Sequence, residues 1–89
     1  MLNLKQEKSF VKDLQKHGLN NSELAKFAKY ISLLCEGKAL PQEANDHALT
    51  GTWLGFREFH IGGDTLVIYK IYGDNTLKLI RLGSHSQLF

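Results

Sequence analysis

Two titratable side chains, Glu58 and His60, stand two residues apart in FREFHIGGD, and Asp64 follows four residues after the histidine. On an extended strand that interval puts Glu58 and His60 on one face and leaves Arg57, Phe59 and Ile61 on the other. Three further candidates lie elsewhere: His47 in DHAL, Arg81 near the end of an apolar run, and His85 in the closing segment RLGSHSQLF. Imidazoles, carboxylates and a guanidinium together suit proton transfer around a charge that develops near neutral pH. Singly, each has a plainer use, such as a Glu58–Arg81 ion pair across strands or a turn aspartate at Asp64. Antiparallel pairing gives them a joint meaning, because it brings the ends of neighbouring strands to one edge of a sheet.

Several chemistries lack their parts. There is no HExxH helix, CxxC pair or EF-hand-like turn, so the His60-to-Asp64 spacing does not amount to a zinc or calcium site. The GxSxG elbow of serine hydrolases is missing, and no glycine loop opens a helix to cradle a nucleotide. Cleavage of RNA without metal or cofactor fits better. The substrate brings its own nucleophile, the 2′-hydroxyl, and needs from the protein a base, an acid and cationic donors around phosphorus.

The scaffold must come from 89 residues, enough for one domain, residues 1–89, with a single main core. A hydrophobic content of 43% with nine aromatics is that of a folded chain, and the lone Cys35 rules out a disulfide framework. With no leader-like or membrane-spanning stretch, the expectation is a soluble cytoplasmic protein. The charge of +2 is modest, but residues 1–40 carry seven lysines against four acids. Lys5, Lys8, Lys12 and Lys16 fall on one helical stripe, either a solvated face or a strip for a polyanion.

LNLK alternates like a short edge strand. A helix with Phe10, Val11 and Leu14 inward then ends at Gly18, and His17 suits the negative end of its dipole. Asn20 and Glu23 have capping-box spacing ahead of a second helix. Its apolar stripe is read as Leu24, Phe27, Ala28, Ile31, Leu34 and Cys35, and Gly37 closes it. After Pro41 the period becomes two: GFREFHI, TLVIYKIY and TLKLIRL read as strands separated by GGD and GDN turns. The middle one is apolar on both parities, as in a central strand. The expected class is α+β, with two antiparallel N-terminal helices on one face of a mainly antiparallel sheet and the other face free for function. Ser84 and Ser86 would point away from His85 on an extended tail.

DHALTGTWLGFREFHIGGDTLVIYKI followed by RLGSHSQLF resembles the YafQ-like branch of the RelE toxin superfamily. That branch shares DH-x-L-x-G, W-x-G-[YF]-R-[DE]-x-H, an aspartate four residues on, an L-[LI]-[IV]-Y strand and a terminal R-x-G-[ST]-H-x-x-L-F. The match runs in detail from about residue 40 to Phe89. It departs at Ala48, where a proline is frequent, at Gly62-Gly63, and at Thr65, where some members carry tryptophan.

The resemblance implies a bacterial type II toxin, an endoribonuclease that enters the ribosomal A site and cuts messenger RNA. It also implies a cognate antitoxin of ribbon-helix-helix, DinJ-like type that silences the toxin and carries it to their shared operon DNA. Functional positions transfer to His47, Glu58, His60, Asp64, His85 and Phe89, with Arg81 facing the scissile phosphate. His85 is expected to be the general acid, held by Leu88 and Phe89 docking back on the domain. Glu58, His60 and Asp64 all remain candidates for the base, with Asp64 or His60 favoured and the other orienting it. His47 and Arg81 would stabilise phosphate charge, and Lys8, Lys12 and Lys16 would touch ribosomal RNA. The alternative is a relative that binds ribosome or antitoxin without cutting.

Overall fold

A computed structural model describes residues 1–89. Strand β1 (Asn3–Gln6) is followed by helices α1 (Lys8–His17) and α2 (Asn21–Cys35). A 3-10 turn at Gln42–Ala44, the two-residue β2 (His47–Ala48) and a 3-10 turn at Gly51–Trp53 lead to β3 (Arg57–Gly62), β4 (Thr65–Tyr72) and β5 (Thr76–Ser84). A last helical turn, α3 (His85–Leu88), ends the chain. The sheet order is β1-β5-β4-β3-β2, with every pair antiparallel except β1 with β5. This is the expected α+β arrangement, with the apolar β4 at the centre.

The local signals act as their chemistry dictates. Asn20 Oδ1 accepts the Glu23 N–H at 2.8 Å while Glu23 Oε1 accepts the Asn20 N–H at 3.1 Å, which satisfies two of the free donors at the start of α2. In the β3–β4 hairpin Gly63 takes φ 49°, a left-handed value that a side chain would strain at the first position of this two-residue turn.

The helix side holds the main core: Phe10 of α1 and Tyr30, Ile31 and Leu34 of α2 pack on Phe59, Ile61, Val67, Tyr69, Leu77, Leu79 and Leu82. Phe10 and Phe27 stack with ring centroids 6.0 Å apart where the two helices meet. The apolar stripe of α2 is rotated from the expected one. Leu24 and Ala28 are exposed, and Tyr30 takes the inward place because its ring fills the space against Phe59 while its hydroxyl reaches Glu43. Cys35 packs at the core margin as expected. Lys5 leaves the helical stripe, since it lies in β1, so the stripe on α1 consists of Lys8, Lys12 and Lys16.

The opposite face is not wholly free. Leu49, Leu66, Ile68, Ile80 and Leu88 form a second small core, edged by Trp53 and Phe56. A bulge at Ile80 breaks the alternation of β5, so Leu79 and Leu82 both reach the main core while Ile80 joins the second.

Asp13 ties α1 to this bulged strand. Its carboxylate accepts from Arg81 Nε at 2.6 Å, from Arg81 Nη2 at 3.2 Å and from the Leu82 N–H at 3.0 Å. Burial works to raise its pKa, but the Arg81 and Leu82 hydrogen bonds prevail and hold it below the usual value. A group depressed in this way adds stability above its unfolded pKa and loses it as pH falls through the folded value. Asp13→Asn is therefore expected to cost about 1–2 kcal/mol at neutral pH, reduced from a buried charge-assisted pair by partial exposure. The deficit against wild type should shrink below about pH 4, read by urea unfolding across the acid range.

Candidate active site

Strand pairing builds the site's centre. His47 of β2 is the cross-strand partner of Glu58 in β3, and His60 lies two residues further along the same face. Glu58 is 4% exposed, and its Oε1 lies 3.2 Å from His47 Nε2 and 3.3 Å from His60 Nε2. The other oxygen, Oε2, is buried and meets no hydrogen-bond partner. One buried carboxylate thus steers two partly exposed imidazoles.

The segment before β2 fixes the position of His47. Asn45 adopts φ 48°, and its carbonyl lies 2.7 Å from His47 Nδ1. A carbonyl only accepts, so Nδ1 carries hydrogen. The 3.2 Å approach of Nε2 to Glu58 Oε1 is a close electrostatic contact, favourable when the ring is protonated. Asp46 anchors the same segment from the helix side, where its Oδ1 accepts from the Tyr69 hydroxyl at 2.7 Å and from Arg57 Nε at 3.3 Å. Burial, and then the neighbouring carboxylate, push the Tyr69 hydroxyl well above its usual range, so it stays a donor.

The tail is helical rather than extended. Ser84 caps α3: Ser84 Oγ accepts the Gln87 N–H and Gln87 Oε1 accepts the Ser84 N–H. Four residues cannot hold a helix unaided. Leu88, 9% exposed, supplies the anchor by packing into the second core, a burial worth about 2 kcal/mol. Gly83 permits this return, because a Cβ there would lie 2.9 Å from Gln87 Oε1 and 3.6 Å from Leu88. Phe89 is half exposed, with its ring 4.9 Å from His85 and 6.3 Å from Trp53. Trp53 in turn meets Phe56 edge-on at 5.3 Å. An aromatic chain therefore joins the β2 side of the open face to the C-terminal turn that carries His85. Leu88 thus docks as expected, while Phe89 leans on the surface.

Among the predicted residues, His47, Glu58 and His60 come together, and His85 is placed with Phe89. The register sets His60 beside Leu66 and Leu66 beside Gly83, two residues before His85, so both lie at one end of the sheet. Asp64 is exposed on the β3–β4 turn, and the partner of His60 is Glu58 rather than Asp64. Arg81 is one strand removed from Glu58 and bonded to Asp13, which excludes the Glu58–Arg81 ion pair. With Lys16, His17 and Gln87 it lines a cleft of about 200 Å³ between α1 and α3. Lys8 and Lys12 lie on the exposed face of α1. His17 bonds Thr65 Oγ1 at 3.0 Å, joining α1 to β4, and Thr65 is buried.

Asn45 and Trp53 hold the site without having been singled out in the sequence. For Asn45 the available signal is its tolerance of left-handed backbone just before the DH pair.

The family model for the bacterial toxin of type II toxin-antitoxin systems, YafQ, matches residues 2–89. The mRNA interferase toxin YafQ of Escherichia coli K12 is 40% identical over 63 residues, covering 68% of this chain and 67% of that protein. A metal-bound toxin from Helicobacter pylori is 40% identical, with TM-score 0.86 and full coverage of both chains. YafQ in the E. coli DinJ–YafQ complex is 30% identical, with TM-score 0.81, over 100% of this chain and 99% of that one. The match across the whole domain, in sequence and in fold, places this chain in the YafQ family of bacterial type II toxins.

Proposed function

We propose that the protein is an endoribonuclease that cuts messenger RNA in the ribosomal A site by metal-free acid–base catalysis. The observation that carries this reading is the buried Glu58 carboxylate, which orients His47 and His60 on a face whose far side presents His85. In the proposed step His60, oriented by Glu58, takes the proton of the 2′-hydroxyl as its oxygen bonds to phosphorus. His85 gives a proton to the 5′-oxygen as the phosphorus–5′-oxygen bond breaks, leaving a 2′,3′-cyclic phosphate and a 5′-hydroxyl. Imidazolium at His47 offsets charge on the phosphoryl oxygens, and Arg81 would join it after release from Asp13. Asp64 is the alternative base, and Asp64→Asn set against His60→Ala separates the two.

The DinJ–YafQ toxin-antitoxin complex of the E. coli relative supports a cognate antitoxin; the reading takes it to be of ribbon-helix-helix, DinJ-like type, and the toxin to reach operon DNA only through it. No helix is long and apolar enough to cross a membrane. The proposed action on the ribosome places the protein in the cytoplasm. Primer extension on a translated message, with and without ribosomes, tests the activity: cleavage only on the ribosome is expected, and none in either arm would leave a binding protein. Charge reversal of Lys8, Lys12 and Lys16 should weaken ribosome association and flatten its salt dependence by roughly 2–3 in log–log slope, measured by co-sedimentation.

A further inference from the structure

One row of the open face differs in character from the His47–Glu58–His60 corner. In the register Lys70 of β4 lies opposite Lys78 of β5, and Lys78 lies beside Lys5 of β1. Residues so aligned share a face, and like charges directly opposite one another weaken a sheet. The face is the open one, since Leu66 and Ile68, which lie on the same side of β4 as Lys70 and Tyr72 at intervals of two, belong to the second core. Three ammonium groups therefore stand abreast on three neighbouring strands. A single carboxylate answers them, Glu7 at 2.6 Å from Lys78 Nζ. Two rings lie among them: Lys70 Nζ is 5.0 Å from the centroids of both Phe56 and Tyr72, and Lys78 Nζ is 5.4 Å from that of Tyr72.

Such a row costs stability and does nothing for either core. Interleaved cations and aromatic rings on an open sheet face are the equipment of single-strand nucleic-acid binding, where phosphates meet ammonium groups and bases meet rings. The row is also continuous with the candidate site. Ile68, between Glu58 and Arg81 in the register, is two residues from Lys70 along β4, about 7 Å at the usual strand rise.

We propose that Lys5, Lys70 and Lys78, with Tyr72 and Phe56, form a strip that binds the backbone of single-stranded RNA and leads it across the open face to the site. The inference rests on the ribonuclease reading and names the surface along which its substrate runs. It is separate from the Lys8, Lys12, Lys16 stripe, which lies on α1.

The test is a salt titration of binding to a 2′-O-methyl RNA oligonucleotide, which lacks the nucleophile and cannot be cut, followed by fluorescence anisotropy. Lys5→Gln/Lys70→Gln should weaken binding and reduce the log–log salt slope by about 1.4, at about 0.7 per lost phosphate contact. Lys26→Gln/Lys29→Gln on α2 makes the same change in net charge and should leave the slope as in wild type. Lys5→Gln alone, at an exposed edge position, should give about half the change and covers any loss of fold in the double variant. An unchanged slope, or equal slopes for the two double variants, overturns the strip. Normal RNA binding with no cleavage on ribosomes would remove the nuclease reading and leave the strip standing, whereas cleavage with an unchanged slope would remove the strip alone.

Discussion

A His85→Ala variant is expected to cut translated message about two to four orders of magnitude more slowly than wild type, the usual contribution of one positioned proton-transfer group. The fold should be indifferent. His85 is exposed at the first position of α3, its ring lies 4.9 Å from that of Phe89, and the anchor of that turn is Leu88. Thermal midpoint and binding of uncleavable RNA should therefore match wild type, which separates a chemical role from a structural one. The pH profile adds a second check. A general acid must be protonated to act, so the wild-type rate should fall on the alkaline side as an imidazole loses its proton, and the variant should lack that fall. Removing Phe89 should give the same kind of defect at smaller size, since Leu88 still holds the turn. Wild-type cleavage by His85→Ala would transfer the acid role to another group.

The parts of this arrangement that could be read in the sequence are those set by near neighbours. The capping box at Asn20 and Glu23, the glycine turns before Asp64 and Asp74, and the parity that separates Glu58 and His60 from Phe59 and Ile61 all depend on a few consecutive residues. The tail was equally accessible, because Ser84 and Gln87 have the S-x-x-Q spacing of a capping box; reading RLGSHSQLF as a strand continuation hid it. Partnerships between distant segments could not be read. Arg81 takes Asp13, 68 positions away, in place of Glu58, and nothing local in either residue announces it. By spacing alone Lys5 groups with Lys8 and Lys12, whereas parallel pairing with β5 sets it beside Lys78. The stripe of α2 was misphased for a related reason. Hydropathy places Leu24 inward, but the space under α2 suits the Tyr30 ring against Phe59, and Leu24 is left over half exposed. Site residues were thus legible by type and by strand face, while their mutual bonding needed the register.

Glu58 should show activity and stability moving in opposite directions. Its carboxylate is buried, it spends one oxygen on two imidazoles, and it leaves the other without a partner. A buried carboxyl group so incompletely satisfied is costly, and replacement by an apolar side chain of similar length is often stabilising. Glu58→Met is therefore expected to raise the unfolding free energy by about 1–2 kcal/mol, the freed imidazoles of His47 and His60 being exposed enough to find water. Cleavage should drop by about 100-fold or more, because His60 loses the hydrogen-bond partner that orients it and His47 loses the carboxylate beside its Nε2. Glu58→Gln distinguishes orientation from charge: an amide oxygen still accepts from both rings but cannot offset an imidazolium or take its proton. If orientation alone matters, the glutamine variant should retain most of the activity. Loss comparable to Glu58→Met assigns the carboxylate's work to its charge. A methionine variant that is both less stable and fully active would mean that Glu58 holds the sheet edge together and plays no part in catalysis.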